Sequence, residues 1–158
     1  VPVLIGAFAL GPVAGMVIEL IKVLVFAVVK GSMTGGIGEL ASFLIGCSMV
    51  VPAAMIYHRN KTLKSAIKGL VVGSVCMVIL GSFMNAFVLL PTYAKFFKMP
   101  ISELIAMGTS VNPAIDNMST FIFYAVTPFN LLKGVVVSLV TLLVYKRISR
   151  AIKSILTR

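Results

Sequence analysis

Charge is scarce in this chain. Only 11% of its 158 residues are charged and only four are acidic, where a soluble domain carries about 25% charged residues. No paired carboxylates for general acid–base work stand out among so few. The single histidine, His58, leaves neither a metal cluster nor a His-based dyad. No CxxC, HExxH, P-loop or GxSxG motif occurs. The two cysteines, Cys47 and Cys76, lie inside apolar runs, which reads as buried thiols rather than a disulfide framework. These absences argue against an enzyme, a metal protein and a disulfide scaffold. No catalytic residue, metal ligand or cofactor is expected.

Apolar sequence fills the space. Hydrophobic residues make up 59% of the chain, with long runs over 12–29, 40–57, 69–91 and 134–145. A bilayer core is crossed by roughly 20 apolar residues in a helix, so these runs predict spanning helices. The net charge of +10 does not point to nucleic acid. The basic residues sit at helix ends, where the positive-inside bias accounts for them. Nine of the fourteen fall in two stretches, "HRNKTLKSAIK" (58–68) and the tail 146–158, and both are placed in the cytoplasm. An even number of crossings then separates them. Helix 65–90 runs outward and helix 129–147 returns, leaving 91–128 outside. Within that piece "ISELIAM" and "FIFYAV" are each too short to span. A long structured loop of this kind is usually functional. Working backwards, helix 39–57 runs inward, loop 30–38 is outside, and helix 13–29 runs outward from an inner turn at Gly11-Pro12. The chain opens "VPVLIGAFALGP", without Met or a signal-peptide n-region. The reading is of a fragment that begins inside or just before a membrane segment.

Polar groups within membrane segments are costly and functional by default. "PFNLLKGVVV" places Asn130 and Lys133 three residues apart, on one face of a helix. With Asn85 and Glu39 they lie at the outer end, under 91–128, where a ligand pocket is the simplest common destination. Each also has a structural reading. Asn130 could cap a helix after Pro128. Lys133 could snorkel to headgroups. Glu39 could complement a helix dipole, and Asn85 could be interhelical glue. Glu19 and Lys22, mid-membrane, form a buried ion pair or, less readily, a proton relay. The outer aromatics, among them Phe87, Phe123, Tyr124 and Phe129, form an interfacial belt or a stacking wall.

Five segments, in order, resemble one family: "VPVLIGAFALGPVAGMVIELIK", "GELASFLIG", "VVPAAMIYHRNKT", "NAFVLLPTY" and "TPFNLLKG". They are similar to the riboflavin-specific S components of energy-coupling factor (ECF) transporters, and the likeness covers nearly the whole chain. It implies an all-α membrane protein with a six-helix fold. The first helix is missing here, and five helices are represented, the second one short. Residues 1–158 would form a single transmembrane substrate-binding domain, N-terminally truncated, in the bacterial plasma membrane among its lipids. The resemblance implies capture of riboflavin from outside as transported ligand, with no cofactor. The partners would be a transmembrane coupling subunit and two ATP-binding cassette ATPases. By motif position, Asn130, Lys133, Asn85 and Glu39 carry over as substrate-binding residues.

The chemistry agrees with a flavin. An amide matches the imide edge as paired donor and acceptor. Lys and Glu suit polyol hydroxyls, and aromatic and Met side chains pack ring faces. A thiamine or biotin pocket would use similar parts, so an S component for a different vitamin stays open. So do an ion-coupled carrier using Glu19 and Lys22 and a structural or assembly subunit.

Overall fold

The computed structural model describes residues 1–32, 35–98 and 100–156, with side chains through 145 apart from that of residue 104. The described residues are helical, with no strand among them. Helix α1 (Pro2–Leu10) is short and stops at Gly11, whose φ of 106° suits glycine. Pro12 then opens α2 (Pro12–Lys30) from its first turn, where a missing N–H costs nothing. Next come α3 (Ile37–Arg59) and α4 (Leu63–Met84). Thr62 caps α4, its hydroxyl accepting the Ser65 N–H at 3.2 Å. A π turn at Asn85–Leu89 joins α4 to α5 (Leu90–Phe96), and α6 (Ile101–Thr109) follows. Helix α7 (Met118–Phe121) passes through a second π turn, Ile122–Val126, into α8 (Thr127–Leu156). Four stretches are long and apolar enough to cross a membrane: Pro12–Lys30, Ile37–Arg59, Leu63–Phe96 and Met118–Tyr145.

Small residues set the packing. A Cβ on Gly69 would sit 2.5 Å from the Ala53 carbonyl oxygen, and one on Gly73 would strike that of Met49. Helices α3 and α4 therefore cross at backbone contact, as small residues permit in membranes. Side chains from α1, α3 and α4, including Leu4, Phe8, Met49 and Leu70, form the buried core. Outward faces stay apolar: Val17, Ile21, Leu24 and Val28 of α2 are all exposed. A soluble monomer rarely exposes so continuous an apolar face, whereas lipid covers it.

Contacts sort the helix ends into two sides. On one side the Tyr57 and Tyr145 hydroxyls are 2.9 Å apart. Phe8 stacks on Tyr57 at 4.6 Å between ring centroids, and His58 Nε2 donates to the Ala7 carbonyl at 3.2 Å. On the other side Gly35 approaches the Phe96 ring. Residues near 10, 58 and 145 thus share one end, and residues near 35 and 96 share the other. This is the arrangement the charge pattern predicts, with "HRNKTLKSAIK" at the cytoplasmic end. The side chains of the basic tail lie outside the described residues.

One expectation needs correction. The piece 91–128 is not wholly an outer loop. The α4 path runs on to Phe96, and the last span begins at Met118, so "FIFYAV" belongs to that span. Pro91 and Pro128 read as helix stops, yet each is absorbed. Proline lacks an N–H and clashes with the carbonyl four residues back. In both places the helix shifts to i→i−5 bonding just before the proline. The Leu90 N–H bonds Asn85 O, and the Thr127 N–H bonds Ile122 O. The π turn carries one extra residue and moves the obstructing carbonyl aside. "NAFVLLP" and "IFYAVTP" are the same device, five π residues, one spacer and a proline.

Candidate functional site

The two π turns approach each other where α4 meets α8. Gly81 lies at this crossing. Its carbonyl accepts a hydrogen bond from Asn85 Nδ2 at 2.7 Å, one helical turn on. Its Cα supports the Asn130 carboxamide. A Cβ there would lie 3.1 Å from Nδ2, 3.3 Å from Cγ and 3.4 Å from Oδ1 of Asn130. Beside it the Ser82 and Thr127 hydroxyls join the helices at 3.0 Å. One turn further in, a Cβ on Gly134 would meet the Ser74 side chain at 3.1 Å, and Ser74 and Ser138 pair at 3.2 Å. The stripe Asn130, Gly134, Ser138 on α8 therefore follows α4 closely.

Asn130 is 5% exposed, and among the described residues its carboxamide makes no hydrogen bond. No fully buried side-chain nitrogen or oxygen there lacks a partner. The amide edge of Asn130 must therefore keep a narrow opening. An unpaired buried amide costs about 1–3 kcal/mol, so a donor–acceptor edge held in this state is suited to a ligand. The capping reading of Asn130 does not hold. The helix has already run from Met118 through Pro128, and Asn130 is inside it. Asn85 also lies within a continuous helical path, where its amide nitrogen donates back to Gly81.

The other expected residues are placed differently. Glu39 lies in the first turn of α3, half-buried, and accepts from the Ser32 hydroxyl at 3.0 Å. The α3–α4 register pairs Met49 with Gly73 and Ala53 with Gly69. Continued to the helix ends, it brings Glu39 level with the 81–85 turn. Glu39 and Asn130 flank α4 on separate helices, with no direct contact between them. Lys133 is exposed, one turn deeper than Asn130, and has no ion pair among the described residues. Glu19 is 2% exposed and pairs with Lys22, whose side chain is 56% exposed. A Cβ on Gly46 would run into the Glu19 carboxylate. This is a seated ion pair between α2 and α3. Phe87 and Phe123 are 69% and 67% exposed, which fits a lipid-facing belt rather than a stacking wall. Asn117 caps α7 in a reciprocal capping box with Thr120. Among the described residues no three metal-binding side chains gather.

Sequence reasoning missed Gly81, Ser82 and Thr127. The available signals were the Gly81–Asn85 spacing of one turn and the two prolines that close apolar runs.

A family model for the substrate-specific component of ECF transporters matches residues 1–145. This chain belongs to that family. As an S component it is a transporter subunit rather than an enzyme, and it crosses the membrane several times. It is 35% identical over 155 residues to the riboflavin transporter RibU of Staphylococcus aureus (strain TCH60), covering 98% of this chain and 75% of that protein. It is 31% identical over 146 residues to the riboflavin transporter FmnP of Bacillus subtilis (strain 168), covering 92% and 71%. A solved S component of a bacterial ECF transporter superposes with a TM-score of 0.68 at 32% identity, over 96% of this chain and 76% of that one. These likenesses bear out the all-α S-component fold.

Proposed function

We propose that this S component captures riboflavin at its outer end for import. It does so with a transmembrane coupling subunit and two ATP-binding cassette ATPases. The observation that carries the reading is the buried carboxamide of Asn130, which lacks a protein partner beside Gly81. Its donor and acceptor edge complements the imide edge of the flavin. Asn85, tied to Gly81 by one N–H, keeps its carbonyl oxygen and second N–H for the same ligand. Lys133 and Glu39, on either side of the amides, would serve the ribityl hydroxyls as charge-assisted donor and acceptor. Riboflavin as the vitamin follows from the relatives named as riboflavin transporters. The Glu19–Lys22 pair is already closed on itself, which disfavours an ion-coupled carrier.

Equilibrium titration by quenching of flavin fluorescence tests this. The expected result is saturable quenching at one site per chain, with no ATP hydrolysis by the purified chain alone. Tight binding of another vitamin without saturable flavin quenching would move the specificity elsewhere.

A further inference from the structure

Gly81 touches both candidate amides at once. Its carbonyl holds Asn85 and its bare Cα lies against all three terminal atoms of Asn130. Contacts of 3.1–3.4 Å from a built Cβ are tighter than almost any real Cβ makes. Any side chain at position 81 therefore displaces the Asn130 carboxamide by a few tenths of an ångström. Fold stability alone does not explain the close fit, since Asn130 makes no hydrogen bond among the described residues in return. The Ser82–Thr127 bond, one residue along α4 and three back from Asn130, fixes the two helices at that level.

We propose that Gly81 is a positioning residue of the ligand site, setting where the amide edges of Asn130 and Asn85 stand relative to each other. This rests on the riboflavin-capture reading above. The ligand's polar edge meets two amides whose separation is fixed by one glycine, through its carbonyl on one side and its missing side chain on the other. Position 81 touches no ligand itself.

A double-mutant cycle on the purified full chain, read by flavin titration, tests this. Gly81→Ala should weaken riboflavin binding about tenfold, the effect of misaligning one good hydrogen bond. In an Asn130→Ala background the same change should alter affinity less than about twofold, since the displaced group is gone. Riboflavin methylated at the imide nitrogen, which cannot donate there, should likewise be nearly insensitive to Gly81→Ala. Gly134→Ala is the packing control. It is as tight against Ser74, and it should lower thermal stability with no dependence on Asn130. Equal weakening by Gly81→Ala in both backgrounds, or none in either, overturns the proposal while leaving riboflavin capture intact. Absence of saturable binding by the unaltered chain overturns both. Should Gly81→Ala fail to fold, Asn130→Gln is the second probe. It keeps the amide and moves it by one methylene. It should lose as much affinity as Asn130→Ala, and wild-type affinity would overturn the positional requirement.

Discussion

The two ends of the helix bundle treat their polar groups in opposite ways. At the inner end each group has a protein partner. The Tyr57 and Tyr145 hydroxyls meet at 2.9 Å, and His58 answers the last turn of α1 through the Ala7 carbonyl at 3.2 Å. Nearer the middle, Glu19 is neutralised by Lys22, and Thr141 bonds back to the Val137 carbonyl at 2.7 Å. At the outer end the helices bulge at two prolines, and the Asn130 amide stays unmatched among the described residues. Buried polar groups are almost always satisfied. A fold that observes the rule at one end and departs from it at the other keeps binding capacity where the departure lies. The inner end is closed by self-pairing, and the outer end is the one left for a guest.

The largest effect should come from breaking the sealed half. Lys22→Met strands the Glu19 carboxylate, and loss of one partner of a buried pair costs about 3–5 kcal/mol. Because Lys22 is more than half exposed, about 3 kcal/mol is expected in thermal or denaturant unfolding. Adding Glu19→Gln should restore much of it. A stable, well-folded double variant that no longer supports uptake would return Glu19 to function and undo the contrast.

Asn130→Ala should do the reverse. Riboflavin affinity should fall about five- to a hundredfold, a loss of about 1–3 kcal/mol. Stability without ligand should hardly change, because the amide has no protein partner to lose. Asn130→Ser should not rescue binding, since a hydroxyl lacks the paired donor and acceptor of an amide. A large stability loss in ligand-free Asn130→Ala would make the residue interhelical glue.

Tyr145→Phe leaves the buried Tyr57 hydroxyl unpaired. It should cost about 1–2 kcal/mol in unfolding and leave flavin affinity at the wild-type value. Weakened binding in this variant would mean that the two ends are coupled rather than separate. The smallest effect is expected at Lys133. Lys133→Met keeps the apolar stem and removes the charge, and titration should show a loss of about threefold to tenfold. Unchanged affinity would make Lys133 a snorkelling residue.

Much of the fold was legible because hydropathy and charge act over whole segments. The apolar runs marked the spans, and the basic clusters marked which ends lie together, as the Tyr57–Tyr145 contact bears out. Pro91 and Pro128 were misleading for a local reason. A proline inside an apolar run can end a helix or be absorbed by a shift to i→i−5 bonding, and propensity alone does not separate the two outcomes. Asn130 and Asn85 stood out as amides in apolar surroundings. Gly81 did not, as one of 13 glycines. Its role comes from a contact across two helices, and sequence spacing carries no sign of that contact. Glu39 was grouped with the amides by depth, and its level agrees, but it faces α4 from the other flank.

The π turns have a consequence for how such a chain can vary. A π turn is an inserted residue that the helix has kept. Removing one residue from 85–89 would restore α periodicity there and rotate everything beyond it by about 100°, while the span below keeps its packing. Residues 90–118 are thus geared to the membrane part through a joint whose setting is one residue long. A single codon lost or gained at that joint would re-aim the outer cap over an unchanged bundle.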